Sequence, residues 1–303
     1  MKDLLDIVDL SAEELKEILR WSEELPVVPF LRDRTIAALF EKPSNRTRNS
    51  TEAAAARLGG QAVSIFDQEV GIDVRERAED VARTLACYHR AVLARVRSHD
   101  TLRRMSSALV SSDVPVVNLL SDHSHPCQAI ADVRTILDRF GTLENTPVVF
   151  VGDANNVARS LGEAVLLLGG EFRIASPEGY QFEGEELDRL GGLGGTLFAT
   201  SDPYEAAAGA KVLYTDVWVS MGQESEASTR RQAFSHFQIN DALVEASSDD
   251  VVVMHCLPAH RGEEITDSVL ESERSLVWSQ AGHRMSAMIG LLSFFGARGG
   301  WLD

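Results

Sequence analysis

The sequence predicts an α/β protein made of two doubly wound parallel-sheet domains joined by a long helix, with a C-terminal helix packing back on the first domain. Three observations predict this. The 303 residues are enough for about two domains of ordinary size. Short apolar runs alternate with helix-like stretches along most of the chain, the pattern of parallel sheets covered by helices on both faces. Polar residues of unusual type gather directly after the apolar runs, at the carboxyl ends of the expected strands, where sheets of this kind place their ligands.

The elements follow in order. Residues 35–40 (TIAALF) form a continuous apolar run of strand length, as a fully buried strand does. A polar loop and a helix reaching Leu58 come next. Strands are expected over 62–66, 91–95 and 114–118, with a helix over 78–88 between the first two of these. A long helix is expected over 126–140, with Pro126 in its first turn, where a missing N–H costs nothing. A second series begins after Gly141. It has strands at 148–151, 171–175, 212–214, 251–255 and 276–278, and a helix up to Leu168. The glycines Gly191, Gly192, Gly194 and Gly195 read as a surface turn region. The last helix is expected over 285–296. The expected domains are residues 1–133 together with 285–303, and residues 134–284.

Composition narrows the functions. A net charge of −17 leaves no basic surplus to displace counterions from phosphates, so a nucleic-acid partner is not expected. No apolar run reaches the roughly 18 residues of a membrane helix, and the acidic start, with Asp3, Asp6 and Asp9, does not resemble a secretory signal. Three widely spaced cysteines, Cys87, Cys127 and Cys256, suggest reduced thiols and a cytoplasmic setting. Only Lys2, Lys16, Lys42 and Lys211 are lysines among 29 basic residues. Acidic excess with scarce lysine points to salt adaptation, because salt screens the self-repulsion; the plainer alternative is an ordinary acidic protein from a GC-rich genome.

Several segments carry chemistry. Ser44-Asn45-Arg46-Thr47-Arg48 sets hydroxyls, an amide and two guanidinium groups at a helix start, where free N–H groups favour an anion. Arginine adds paired contacts to phosphate oxygens, whereas Ser44 alone would be an ordinary cap. His123, His125 and Cys127 have a spacing that metal sites use, but Pro126 begins a helix among them and no second cluster completes four ligands. His125 can instead polarise a substrate oxygen, and His123 reads as a surface loop residue. Gly152-Asp153-Ala154-Asn155-Asn156 follows a strand but lacks the spacing of dinucleotide-binding glycines, so a nicotinamide cofactor is not expected. Its asparagines suit an amino-acid zwitterion, or simple turn and cap chemistry.

Five motifs together resemble one family. The segment from Phe40 to Arg48 is similar to the phosphate loop, usually FEKxSTRTR, of the aspartate/ornithine carbamoyltransferase family. His125-Pro126-Cys127-Gln128 resembles its HPCQ motif, and the segment from Gly152 to Val157 resembles GDGNNV. The segments from Asp216 to Glu224 and from His255 to Gly262 resemble DVWxSMGQE and HCLPAHRG, which mark the ornithine branch. The motifs occur in the family order between residues 40 and 262.

The resemblance implies transfer of a carbamoyl group from carbamoyl phosphate to the side-chain amine of L-ornithine, giving citrulline and phosphate. It implies no metal and no organic cofactor. Ser44, Asn45 (through its backbone N–H), Arg46, Thr47 and Arg95 would hold carbamoyl phosphate, with His125 on the carbonyl oxygen. Gln128 and the main chain at Cys256 and Leu257 would hold the carbamoyl amide, and Arg284 would lie near the reacting carbonyl. Asn156, Asp216, Ser220 and Met221 would bind ornithine, Cys256 would act near its δ-amine, and Leu257-Pro258 would be cis. Arg46, Arg95, His125, Cys256 and Arg284 would form the catalytic set, in a homotrimer or a multiple of one. The sequence departs from the family pattern at Asn45, usually threonine; at Gly71, where many relatives carry a glutamine; and at Gly282-His283, usually Glu-Asn. Two other readings are a sibling transferase acting on putrescine or an acylated ornithine, and a catalytically silent ornithine-binding subunit.

Overall fold

The structure is a computed structural model that describes residues 3–24, 28–220 and 222–302. The chain divides into two compact units, residues 1–134 with 282–303, and residues 135–281. It passes from one unit to the other within two helices, Pro126–Phe140 and Val277–Arg298.

The first unit holds a four-stranded parallel sheet. Its strands are β1 (Thr35–Phe40), β2 (Gln61–Phe66), β3 (Val92–Arg95) and β4 (Val116–Leu120), in the order β2-β1-β3-β4. The central strands β1 and β3 are almost wholly buried, which is why they read as unbroken apolar runs. β2 lies at the edge, and Val63 and Phe66 stay exposed on it. Helix Ala12–Glu24 buries Leu15, Ile18, Leu19 and Ser22, one stripe of a 3.6-residue period.

The part of helix Val277–Arg298 that belongs to this unit lies directly on that first helix. A Cβ at Gly290 would stand 2.4 Å from the carbonyl oxygen of Ile18 and 2.8 Å from the Ser22 nitrogen. A Cβ at Gly296 would stand 2.7 Å from the Phe30 ring. Glycine is therefore the residue that lets the two backbones meet. The expected C-terminal helix does pack on the first domain, and it is longer at both ends than 285–296.

The second unit holds a five-stranded parallel sheet. Its strands are β5 (Val148–Val151), β6 (Glu171–Ala175), β7 (Thr196–Thr200), β8 (Val212–Thr215) and β9 (Val252–His255), in the order β7-β6-β5-β8-β9. Phe150 of β5 and Tyr214 of β8 stack at 5.5 Å in its core.

Three expectations change. Residues 276–278 are not a strand: Ser275 makes a single bridge to Val253, and helix Val277–Arg298 then begins. An apolar run of three residues cannot distinguish a strand from the first turn of a buried helix. β7 went unread because it is an edge strand, TLFAT, in which Thr196, Phe198 and Ala199 are exposed and no residue is fully buried, so it shows neither an unbroken apolar run nor a clean alternation. β4 begins two residues later than expected, because Pro115 has no N–H to give to a ladder and precedes it.

Candidate active site

In the first unit the phosphate-loop candidates follow β1. Ser44 caps helix Asn45–Arg57, and its Oγ accepts from the Thr47 N–H at 3.3 Å. That leaves the other amide groups of the first turn, with the positive end of the helix dipole, directed at the same place. Asn45 is exposed, and its side-chain oxygen accepts from Asn49 at 3.0 Å, so its amide is turned along the helix. Thr47 is buried, and its hydroxyl accepts from an Nη of Arg284 at 2.9 Å. The other Nη of Arg284 donates to the side-chain oxygen of Gln128. Gln128 donates in turn to the buried carboxylate of Asp132 at 2.8 Å.

His125 is positioned by a polar turn. Asn118 in the middle of β4 donates from its side chain to the Ser121 hydroxyl at 3.2 Å and to the Ser124 carbonyl at 3.3 Å. The Ser121 N–H donates to the Ser124 carbonyl at 2.9 Å, closing the loop just before helix Pro126–Phe140. Burial, followed by the charges of Arg284, Arg95 and Arg46, holds the His125 imidazole well below its ordinary value of 6.5. His125 is thus a neutral imidazole among three cations. Such a group can donate to or accept from an oxygen without adding a charge, while the guanidinium groups face negative charge as it develops. Arg46, Thr47, Arg95, His125, Gln128 and Arg284 therefore converge in this unit.

In the second unit the residues after β5, β8 and β9 meet. Asn155 accepts from the N–H groups of Val157 and Ala158, capping helix Asn156–Leu167. Its side-chain N–H donates to one oxygen of Asp216 at 3.0 Å. The Cys256 thiol donates to the other oxygen of Asp216 at 3.0 Å. Asn156 is half-buried one residue beyond the cap, and the Ser220 N–H donates to Gln223 Oε1 at 3.0 Å. Met221 lies outside the described residues. The Leu257-Pro258 bond is cis, as the resemblance implies, and Leu257 has a φ of 59°.

The metal reading of His123, His125 and Cys127 finds no support in their chemistry. Burial pushes the Cys127 thiol up to about 12, and it donates to the Asn118 carbonyl at 3.4 Å. His123 lies on a loop with its ring 5.0 Å from that of His99. Asp216, His255 and Cys256 do offer an oxygen, a nitrogen and a sulfur within 4.8 Å of one another. Both ring nitrogens of His255 are committed, however, one to Glu264 at 3.0 Å and one to the Leu257 N–H at 2.8 Å.

Sequence reasoning missed several residues that hold these groups. Asp132 follows Gln128 by four positions on one helix, a spacing that could have revealed it. Arg230 left no such signal. It is buried, donates from Nε to the Trp218 carbonyl at 2.6 Å and from an Nη to Asp153, and its guanidinium lies 4.8 Å from the Tyr180 ring centre. It ties the loop after β8 to the loop after β5 across 77 residues of sequence. Burial raises the Asp153 carboxyl despite that arginine.

The fold, an anion-facing helix start and a neutral histidine among arginines define a class of group-transfer enzyme, and comparison identifies its family. Residues 2–138 match the family profile described as aspartate/ornithine carbamoyltransferase, carbamoyl-P binding domain, and residues 144–295 match its Asp/Orn binding domain. The chain belongs to the aspartate/ornithine carbamoyltransferase family. It is 44% identical over 299 residues to the ornithine carbamoyltransferase of Archaeoglobus fulgidus, covering 96% of each chain. It is 43% identical to the anabolic ornithine carbamoyltransferase of Pyrococcus furiosus, over 96% of this chain and 95% of the relative. Among solved structures it resembles the Pyrococcus furiosus enzyme with a TM-score of 0.90 at 42% identity, covering 97% of this chain and 96% of that one. It also resembles the anabolic enzyme of Campylobacter jejuni, with a TM-score of 0.92 at 31% identity, covering 98% and 100%.

Proposed function

We propose that this protein transfers the carbamoyl group of carbamoyl phosphate to the δ-amine of L-ornithine, giving L-citrulline and phosphate. The observation that carries the reading is the neutral His125 ringed by Arg46, Arg95 and Arg284 beside the Ser44-capped helix. One anion with a polarised carbonyl fits that charge pattern. Similarity to relatives named as ornithine carbamoyltransferases over nearly the whole chain supports ornithine as the acceptor.

In this reading Ser44, the Asn45 amide, Arg46, Thr47 and Arg95 hold the phosphate. His125 and Arg284 hold the carbonyl oxygen, and Gln128 with the main chain at Cys256 and Leu257 holds the amide. Asn156, Asp216, Ser220 and Met221 bind ornithine. The attacking amine must be neutral, against an ordinary pKa of about 10.4 for such a group. Asp216, already the acceptor of the Cys256 thiol, lies near the α-amino group and Cys256 near the δ-amine, so that the pair orients the chain and steers the proton. The amine nitrogen bonds to the carbonyl carbon, and the oxyanion that forms faces Arg46, Arg95, Arg284, Thr47 and His125. The C–O bond to phosphate then breaks, and the amine proton passes to the departing phosphate. Holding two substrates in line can supply up to roughly 7–11 kcal/mol of the barrier reduction.

The first unit binds carbamoyl phosphate and the second binds ornithine, in keeping with the family profiles that match each. A homotrimer or a multiple of one fits the open edge of β2, where Val63 and Phe66 are exposed. A cytoplasmic setting fits three free thiols. No described helix is long and apolar enough to cross a membrane. Salt adaptation fits the net charge of −17.

The test is citrulline formation by purified protein from carbamoyl phosphate and ornithine, at low and at molar salt. Putrescine, aspartate and N-acetylornithine are the competing acceptors. Ornithine is expected to react far faster than the others. Equal or faster turnover of any of the three overturns the acceptor assignment, and no turnover of any overturns the enzyme reading.

A further inference from the structure

Behind the Cys256 thiol lies a buried chain of hydrogen bonds that the mechanism above does not use. The side chains of His255 and Glu264 are fully buried. His255 Nε2 stands 3.0 Å from Glu264 Oε1, and the same carboxylate oxygen accepts from the His260 N–H at 2.5 Å. On the other side of the ring, His255 Nδ1 accepts from the Leu257 N–H at 2.8 Å. The His255 N–H itself donates to Gln280 Oε1 at 2.9 Å, and Gln280 donates to the Tyr214 hydroxyl at 3.1 Å.

These partners fix the tautomer. A ring nitrogen that accepts an amide proton carries no proton of its own, so Nδ1 is bare and Nε2 carries the hydrogen given to Glu264. The imidazole is therefore a one-way connector. Glu264 sets the ring, and the ring holds the Leu257 amide. Leu257 needs that hold, because its φ of 59° is a conformation a leucine rarely takes. Cys256 lies between the ring and Leu257 in sequence, so the turn that His255 closes is the turn that aims the Cys256 thiol at Asp216.

We propose that His255 and Glu264 are positioning residues that lock the 255–258 turn and thereby hold the Cys256 thiol on Asp216 for the acceptor amine. The assignment of that amine to Cys256 and Asp216 rests on the proposed function. The locking itself does not, and it can be read without turnover.

The experiment uses two isosteres of the imidazole. Asparagine places a polar atom where Nδ1 lies and can still accept from the Leu257 N–H. Glutamine places its N–H₂ near Nε2, keeps Glu264 paired, and leaves the Leu257 N–H without its acceptor. Both are made in a Cys87→Ser background, since Cys87 is the exposed thiol and Cys127 is buried. The rate at which an aromatic disulfide reagent labels Cys256 is measured alongside kcat and both KM values.

His255→Gln is expected to raise the labelling rate at least about tenfold, equivalent to about 1.4 kcal/mol of lost restraint. It is also expected to raise the ornithine KM, and to raise it by more than the carbamoyl phosphate KM, because the turn gives carbamoyl phosphate only main-chain contacts to its amide. His255→Asn is expected to return both readouts towards the parent. Should His255→Gln not fold, Glu264→Ala frees the ring while leaving the imidazole in place, and the same loosened thiol is expected. Parental labelling in His255→Gln or Glu264→Ala, or an Asn variant as loose as the Gln variant, overturns the proposal. A parent that makes no citrulline sinks the functional reading alone, because the labelling arm still reports on the lock.

Discussion

Replacing Arg284 with methionine removes one guanidinium from the cluster around His125 while keeping a side chain of similar reach. Arg284 is buried and gives two hydrogen bonds, to Thr47 at 2.9 Å and to Gln128. Bonds from a charged donor contribute about 1.5–3 kcal/mol each, so the variant loses about 3–6 kcal/mol of them. Against this, a cation buried beside Arg46 and Arg95 carries a desolvation penalty of several kcal/mol and repels its neighbours. The two effects nearly cancel, and the folding stability is expected to change by less than about 2 kcal/mol. Catalysis has no such offset. Removing one donor aimed at a developing oxyanion typically slows turnover by about 10²–10³. His125 provides a third readout. Arg284 is the largest charge lowering it, so the imidazole titration should move up in the variant, yet stay below 6.5 because burial is the larger cause. The assays are citrulline formation, urea unfolding, and an NMR titration of His125. Turnover within tenfold of the parent, or a His125 titration that does not move, would refute the reasoning.

Gly290→Ala is expected to destabilise by at least about 3 kcal/mol in a urea melt, because its Cβ would meet backbone at 2.4 Å. A melt unchanged from the parent would mean the two helices can separate freely there. Arg230→Met should raise the ornithine KM while leaving that for carbamoyl phosphate unchanged, since Arg230 ties together two loops of the second unit; equal effects on both constants would contradict this. His89, His99 and His125 are each held below 6.5, chiefly by burial. Below pH 6.5 the unfolded chain takes up protons that the folded chain refuses, so stability should fall as the pH drops from 6.5 towards the folded values. Urea midpoints at pH 7.5 and 5.5 for the parent and His125→Gln test this, and an equal drop in both would exclude His125 as a source.

The legible parts of the fold were those whose signal is local. β1, β3, β5, β8 and β9 are buried, so their apolar runs stood out, and each ended in a polar loop. β7 and residues 276–278 were misread for opposite reasons. The first is an edge strand with exposed residues on both faces, and the second is an apolar run too short to declare its period. The site divided in the same way. Residues that face substrate sit in short motifs, which a sequence displays as contiguous strings. Residues that hold those groups in place, such as Arg230 for Asp153 and Glu264 for His255, act across folded distance and lie in no motif with their partner or at an uninformative spacing.

The final helix has a consequence for how the protein is made. Residues 282–303 complete the first unit, yet they follow the whole of the second in the chain. On a ribosome moving at about 5–20 residues per second, the segment ending at 134 waits roughly 7–30 s for the segment that begins at 282. During that interval Thr47 and Gln128 have no Arg284, and Ile18, Ser22 and Phe30 face water where Gly290 and Gly296 will later lie. The second unit is contiguous and can fold first, although it is encoded later. A nascent chain therefore carries an unfinished apolar groove until residues 282–303 emerge, and a chain cut short before Arg284 lacks both the cover for that groove and one arm of the arginine cluster.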